Sequence, residues 1–354
     1  MTETRTESSG PRRAAYLVLG MHRSGTSATA QLLAKAGAGL PEHVMPGDQH
    51  NAKGYFEPWR IANLNNRRLQ AADSAWDDVF AFPQAPLPIN GELAWIQQGQ
   101  ALFCEEYGTT PLPLLKDPRV SVLMPFWAEV LRHLDIEPRI VIPVRHPLAV
   151  AGSLAKRNGF PVEKSVLLWT SYMLASEAYS RGLPRVFVSY DNLLADWRGQ
   201  LGRIEAAHGA AMPGLTKAGT RDMDRFLTPK LNHNEGAGEM PGLDGLGSLI
   251  SGFHESLVAA ANDRELDGAA VSAVASAVSD LKARVGTLVS PVTRDLDLVR
   301  IQLLDLQQKV AFDEGQRVLN DPTPRIEALE AELAGMRAER AELEQLISQA
   351  LSTT

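Results

Sequence analysis

Cysteine is nearly absent. Cys104 is the only one in 354 residues, which excludes an internal disulfide framework and a cysteine-rich metal site. It reads as a core thiol in a reducing compartment. No His/Cys cluster has metal-ligand spacing either, so the expected chemistry uses no metal. No apolar run approaches the length of a membrane span, and Met1–Pro11 is polar, without the apolar centre of a secretory signal. The expectation is a soluble, cytoplasmic protein. The formal net charge of −7 argues against a nucleic-acid partner while leaving room for a local basic pocket. Tryptophan and tyrosine are missing from the C-terminal part. All six of each precede Glu235, after which only Phe253 and Phe312 are aromatic.

The chain is organised around Tyr16-Leu-Val-Leu-Gly20-Met-His-Arg-Ser-Gly25-Thr-Ser27. A short apolar run ending in glycine is the pattern of a buried parallel strand. Beyond Gly25, Ala28, Leu32, Leu33 and Ala36 recur at helical spacing. Strand, glycine loop and helix in that order form a phosphate cradle, with loop amides and the helix N-terminus converging on an anion. One residue of the usual triphosphate motif is missing. Gly20, Gly25 and Ser27 are correctly spaced, but Thr26 stands where the lysine belongs. That disfavours ordinary ATP or GTP hydrolysis. The positive charge sits instead at Arg23, whose guanidinium can fork onto anionic oxygens without a metal.

Three more apolar runs read as strands. Leu112-Pro-Leu-Leu-Lys116 ends in charge, and Pro118 suits the first turn of a helix carrying Val122, Leu123, Phe126, Trp127 and Val130. Asp117 reads as an N-cap; Lys116 and Arg119 are either ligand-facing at a strand end or paired with Asp117 or Glu129. Arg139-Ile-Val-Ile-Pro-Val-Arg145 closes on an arginine, with Pro143 interrupting the expected ladder and a helix following from Pro147. Arg185-Val-Phe-Val-Ser-Tyr190 is the fourth strand, after an amphipathic helix over 163–181 and before one over 191–208. The stretch 73–110 holds several prolines and aromatics and reads as a packed surface excursion or an acceptor-binding lid.

The string Arg23-Ser24-Gly25-Thr26-Ser27 resembles the 5′-phosphosulfate loop of sulfotransferases that use 3′-phosphoadenosine 5′-phosphosulfate (PAPS), where a basic residue precedes small-Gly-Thr-[Ser/Thr]. Arg145, with proline two residues on and Ser153 eight residues on, resembles that family's 3′-phosphate site. Asn51 to Glu57 and Lys116-Asp117-Pro118-Arg119 are similar to segments of bacterial members, as are Tyr190 and Asp191, although glutamate is usual at the latter position. After 225–233 the resemblance thins. Asn232 replaces an expected arginine, leaving Lys230 a bare candidate for cofactor contact. The resemblance covers Ala14 to His233 and implies a three-layer α/β sandwich with a mainly parallel sheet. Arg23, Ser24, Gly25, Thr26 and Ser27 would hold the phosphosulfate, and Arg145 and Ser153 the 3′-phosphate. Glu57, following two aromatics, suits a general base whose pKa partial burial raises; it equally suits a cap for a helix beginning at Pro58. His50 is the rival base.

Boundaries follow composition: a tail over 1–13, the α/β domain over 14–235, a glycine-rich linker over 236–252, a helical region over 253–320 and a coiled-coil helix over 325–351. Val271, Val274, Val278, Leu281, Val285 and Leu288 alternate three and four apart, and the pattern resumes after Pro291 and again from Ile326, with Arg340 on the seam. Such heptads call for a partner helix: a second copy of the chain, or the chain's own domain. The expected function is sulfuryl transfer from PAPS to a hydroxyl or amine of a small-molecule or saccharide acceptor. The alternatives are a small-molecule kinase with a displaced lysine, such as Lys116, and a non-catalytic scaffold that retains the fold.

Overall fold

The computed structural model describes residues 13–45, 56–84, 87–228, 238–313 and 323–352. Strand β1 (Arg13–Val18) leads through the glycine loop into α1 (Thr26–Lys35). Helices α2 (Trp59–Gln70) and α3 (Ile89–Tyr107) precede β2 (Leu114–Lys116), a 3-10 turn over Pro118–Ser121 and α4 (Met124–His133). Then come β3 (Ile136–Val144), α5 (Pro147–Asn158), α6 (Val162–Tyr179) and β4 (Arg185–Ser189). Helices α7 (Tyr190–Ala195), α8 (Trp197–His208) and α9 (Lys217–Phe226) follow.

Among the described residues the sheet has four strands in the order β2-β1-β3-β4, and every pairing is parallel. Alternate residues of β1 feed different cores: Ala15 and Leu17 pack with Trp127, Leu154 and Trp169, while Tyr16 and Val18 pack with Leu32, Leu193 and Ile204. A parallel strand covered on both faces must be apolar throughout, and residues 14–18 are all buried. The result is the helix–sheet–helix layering expected from the sequence.

Pro143 stays within β3, opposite Val188 of β4. Ile140 donates its amide to the Pro184 carbonyl on the β4 side, whereas the Val141 carbonyl accepts from Leu19 on the β1 side. Since parallel strands alternate direction, the Pro143 nitrogen faces β1 beyond Val18, where β1 has already turned into the glycine loop. The missing donor falls opposite the Leu19 carbonyl, past the last paired residue of β1, so it costs only the terminal rung of the ladder.

Several expectations are corrected. Cys104 is exposed rather than a core residue. The helix expected from Pro118 is a 3-10 turn, with the α-helix beginning only at Met124. The helix expected over 191–208 is broken at Asp196, whose carboxylate accepts from the Gly199 amide and starts α8 afresh. The excursion over 73–110 is packed: Phe80 and Phe103 are core residues, and half of its length is α3.

The C-terminal helices are α10 (Leu246–Ala260), α11 (Gly268–Asp313) and α12 (Thr323–Ser352). The glycine-rich stretch is therefore helical from Leu246 onward. Leu246, Ile250, Phe253 and Leu257 of α10 join the core that holds Trp169, and Val271, Val274, Val278 and Leu281 of α11 join the same core. The first heptad stripe thus finds its partner within the chain as far as Val285, while Leu288 is exposed. Farther on, Leu296, Val299 and Leu303 of α11 pack on Leu329 and Leu333 of α12, closing a helical hairpin. A second copy is not required to cover any of the packed residues. Helix α11 runs through Pro291 uninterrupted, forgoing one intrahelical hydrogen bond. Arg340 approaches Asp77 of the α/β region, with Nη1 3.6 Å from Oδ2.

Candidate anion-binding site

The loop between β1 and α1 has the conformation its glycines permit. Gly20 and Gly25 have φ of 130° and 92°, outside the range side chains favour. A Cβ at Gly25 would lie 2.3 Å from the Tyr190 ring. Arg23 also has positive φ, at 70°, as does Phe56, next to Glu57, at 58°. Backbone outliers of this kind concentrate where a side chain must be aimed. Gly25 is the N-cap of α1, and no acidic residue lies in that helix's first turn. The positive end of the helix is therefore not neutralised by its own side chains. Ser24 is fully buried, and its Oγ makes no hydrogen bond among the described residues.

The carboxyl ends of all four strands converge here, where open parallel sheets bind their ligands. Arg145 directly follows β3. Its Nη1 donates to the Arg23 carbonyl at 3.0 Å, its guanidinium lies 4.6 Å from the Tyr190 ring centre, and its own carbonyl accepts from Trp169 Nε1 at 3.1 Å. Arg23 Nε donates to Ser153 Oγ, on α5, at 2.7 Å. Arg23, Arg145 and Ser153 thus form one cluster, although they are far apart in sequence. Burial, with the like charge of Arg23, lowers the Arg145 pKa against the opposing influence of Tyr190 and Asp191; burial also raises the pKa of Tyr190.

Lys116 is the last residue of β2 and is buried. Its Nζ donates to Glu57 Oε1 at 2.5 Å and to Ser27 Oγ at 3.3 Å. Glu57 does not cap α2: that helix starts at Trp59, with Pro58 as N-cap and no side-chain cap. Instead Glu57 is buried beside Lys116, with Oε2 3.9 Å from Arg119 Nη1. Lys116 pairs with neither Asp117 nor Glu129, whereas Arg119 does pair with Asp117 at 2.7 Å. Asp117 also caps the 3-10 turn through the Arg119 amide and accepts from Asn65 Nδ2 at 2.7 Å. His50 lies outside the described residues, as do 51–55 of the segment leading to Glu57, and Lys230 and Asn232.

His22 reports the local field. Its pKa is held well below the usual histidine value, first by burial and then by Arg157, Arg119, Lys116 and Arg23. Four cations therefore act on this loop residue. The ring packs edge-on to Trp76, at 5.0 Å between centres; Arg157 lies over the Trp76 ring at 5.5 Å, and Trp76 stacks on Phe160. The sequence reading missed His22, Trp76 and Arg157. Nothing in their spacing marks them, because they meet only when the 73–84 segment and α5 fold over the loop. Among the described residues no group of three or more His, Cys, Asp or Glu side chains is arranged to hold a metal ion, and no helix is long and apolar enough to cross a membrane.

The fold and site together define a parallel α/β protein with a glycine loop at its strand ends, beside Arg23, Arg145 and Lys116. No family model matches the chain, and no curated protein matches it. Among solved structures, the sulfotransferase domain of the Synechococcus PCC 7002 olefin synthase is similar at 14% identity and a TM-score of 0.37, over 78% of this chain and 98% of that domain.

Proposed function

We propose that the chain is a PAPS-dependent sulfotransferase, acting on a hydroxyl or amine of a small-molecule or saccharide acceptor. The observation that carries this reading is the joining of two distant motifs: Arg23 hydrogen-bonds Ser153 at 2.7 Å, and Arg145 hydrogen-bonds the Arg23 carbonyl at 3.0 Å. A site built for two separate phosphate groups needs such a pair of arginines on adjoining strand ends. The orphaned Ser24 Oγ and the glycine curl that a Cβ would block fit a phosphate-bearing ligand.

When bound, PAPS supplies an activated sulfuryl group on its 5′-phosphate. Arg23 and the amides from Gly25 to Ser27 would hold that end, and Arg145 with Ser153 the 3′-phosphate, which ADP lacks. Lys116 orients Glu57 through Oε1, leaving Oε2 as the oxygen that takes the acceptor's proton. The contribution of these side chains is alignment and fixed charge, the two effects that dominate comparable group transfers.

One observation favours a second reading, a small-molecule kinase. Lys116 lies 3.3 Å from Ser27 Oγ and brings a lysine to a loop that lacks one. Against it, the acid following β2, Asp117, has both oxygens engaged by Arg119 and Asn65, a poor arrangement for a magnesium ligand.

Calorimetric titration with adenosine 3′,5′-bisphosphate, beside ADP and ATP with and without magnesium, tests the proposal. The expected result is magnesium-independent binding of the bisphosphate. In Arg145→Ala that binding weakens by about 1.5–3 kcal/mol, roughly ten- to a hundredfold, while adenosine 5′-monophosphate is little affected. Preference for ATP with magnesium would replace the proposal with the kinase, and binding of neither would favour the scaffold. Glu57→Gln separates base from binding: turnover with an acceptor falls about 10²–10⁴-fold and bisphosphate affinity is retained.

A further inference from the structure

The glycine loop carries a histidine, His22, next to Arg23. Its side chain is only 8% exposed, and Nε2 is buried without a hydrogen-bond partner. Ser24, two residues on, is fully buried with the same deficit at Oγ. Orphaned polar groups are costly. Two of them in one loop call for a partner that the folded chain does not itself supply.

The surroundings of the imidazole are aromatic and cationic. Trp76 packs edge-on at 5.0 Å between ring centres, and Tyr172 of α6 lies at 6.2 Å. The Tyr172 hydroxyl is spent on the Trp76 carbonyl, to which it donates at 2.7 Å. The charges acting on His22 are Arg23 in the loop, Lys116 at the end of β2, Arg119 in the 3-10 turn and Arg157 on α5. Of the carboxylates beside those cations, Glu57 is held by Lys116 at 2.5 Å and Asp117 by Arg119 at 2.7 Å. A proton on His22 would bury one more positive charge among four, so burial and these cations keep the ring neutral. An anion in the loop reverses the balance. Its charge offsets the cations, and the protonated ring gains an N–H at Nε2 for the anion's oxygens.

We propose that His22 is a further ligand-binding residue of the loop: neutral without ligand, it takes up a proton as a phosphate- or sulfate-bearing anion enters and donates to one of that anion's oxygens. Linkage makes the effect reciprocal. A ligand that promotes protonation binds more tightly as pH falls. This rests on the loop being the anion site of the proposed function, and not on Glu57 being the base.

The test uses the full chain, isotope-labelled at histidine, with adenosine 3′,5′-bisphosphate as probe and the imidazole NMR signals followed between about pH 8 and 5. The signals of His22 are those missing from His22→Gln; should that variant not fold, His22→Asn supplies the same subtraction. Without ligand, His22 should stay neutral throughout. With saturating bisphosphate it should titrate to imidazolium within the interval. The ratio of parent to variant affinity should then rise as pH falls, by up to about tenfold per pH unit for one coupled proton. Calorimetry with sulfate, which has no titratable proton in this range, should show net proton uptake when buffers of different ionisation enthalpy are compared. Titration of ligand-free His22 near the ordinary histidine value, a ring that stays neutral with bisphosphate bound, or an affinity ratio independent of pH would each overturn the proposal and leave the anion site standing. Failure of both bisphosphate and sulfate to bind would overturn it together with that site.

Discussion

Two charge clusters flank Trp76 and use arginine in opposite ways. At the glycine loop, Arg23 donates to a serine hydroxyl and Arg145 to a backbone carbonyl. Around Asp77, by contrast, Lys164, Arg300 and Arg340 all approach one buried carboxylate. A neutral partner orients a guanidinium without cancelling its field. A buried carboxylate cancels it, and the energy goes into holding elements together. The second cluster ties α6, α11 and α12 to the segment beneath them. Against burial, which acts in the opposite sense, the charges of Lys164, Arg300 and Arg340 hold the Asp77 pKa below the ordinary carboxylate value.

The largest expected effect breaks the structural cluster alone. Asp77→Asn leaves three cations without their shared anion and should lower stability by on the order of 3–5 kcal/mol in urea unfolding. Adenosine bisphosphate affinity of the folded protein should be unchanged. A loss below about 1 kcal/mol would reduce the cluster to the level of surface pairing and erase the contrast.

Asp297 sharpens the same comparison through pH. Burial, with the nearby charge of Asp77, raises its pKa to about 6, against the influence of Gln70, Arg119 and Arg300. Because the folded value exceeds the unfolded one, its favourable contribution is complete below the ordinary carboxylate pKa and is lost as pH rises through about 6. Asp297→Asn should therefore be more stable than the parent at neutral pH, by on the order of 2–3 kcal/mol. The advantage should shrink toward zero near pH 4. Urea midpoints measured across that interval check the sign, and a pH-independent difference would refute the assignment.

The smallest effect belongs to the ligand cluster. Gly25→Ala forces a side chain into positive φ and against Tyr190. We expect about 1–3 kcal/mol of destabilisation together with lost bisphosphate binding. Pairing it with Tyr190→Ala should relieve the steric part but not the backbone part. Full rescue of binding by the pair would show that the loop's curl is unimportant.

Much of the site was legible because it follows local rules. A glycine between an apolar run and a helical pattern announces a loop that bends toward an anion, and Lys116, Arg145 and Tyr190 each terminate a strand, where a parallel sheet presents its ligands. Glu57 was recognisable as a carboxylate that could serve as base or cap, but its partner was not: the structure removes the cap and places Lys116 Nζ 2.5 Å from Oε1. Pro143 looked disruptive because a sequence does not reveal which side of the strand its nitrogen faces. Asp196 was missed as a helix break because the apolar spacing continues across it.

The C-terminal helices mark the boundary between the two kinds of information. Their heptad spacing by itself determined that they are helices with a narrow apolar stripe, as the apolar run, paired glycines and helical spacing by themselves determined a strand, a curled loop and a helix; both are consequences of periodicity and backbone freedom within a few residues. Which surface the stripe covers depended on tertiary structure. Periodicity specifies a face but not its partner, and only the folded α/β layers supplied the α10–α6 core for α11 and Asp77 for Arg340.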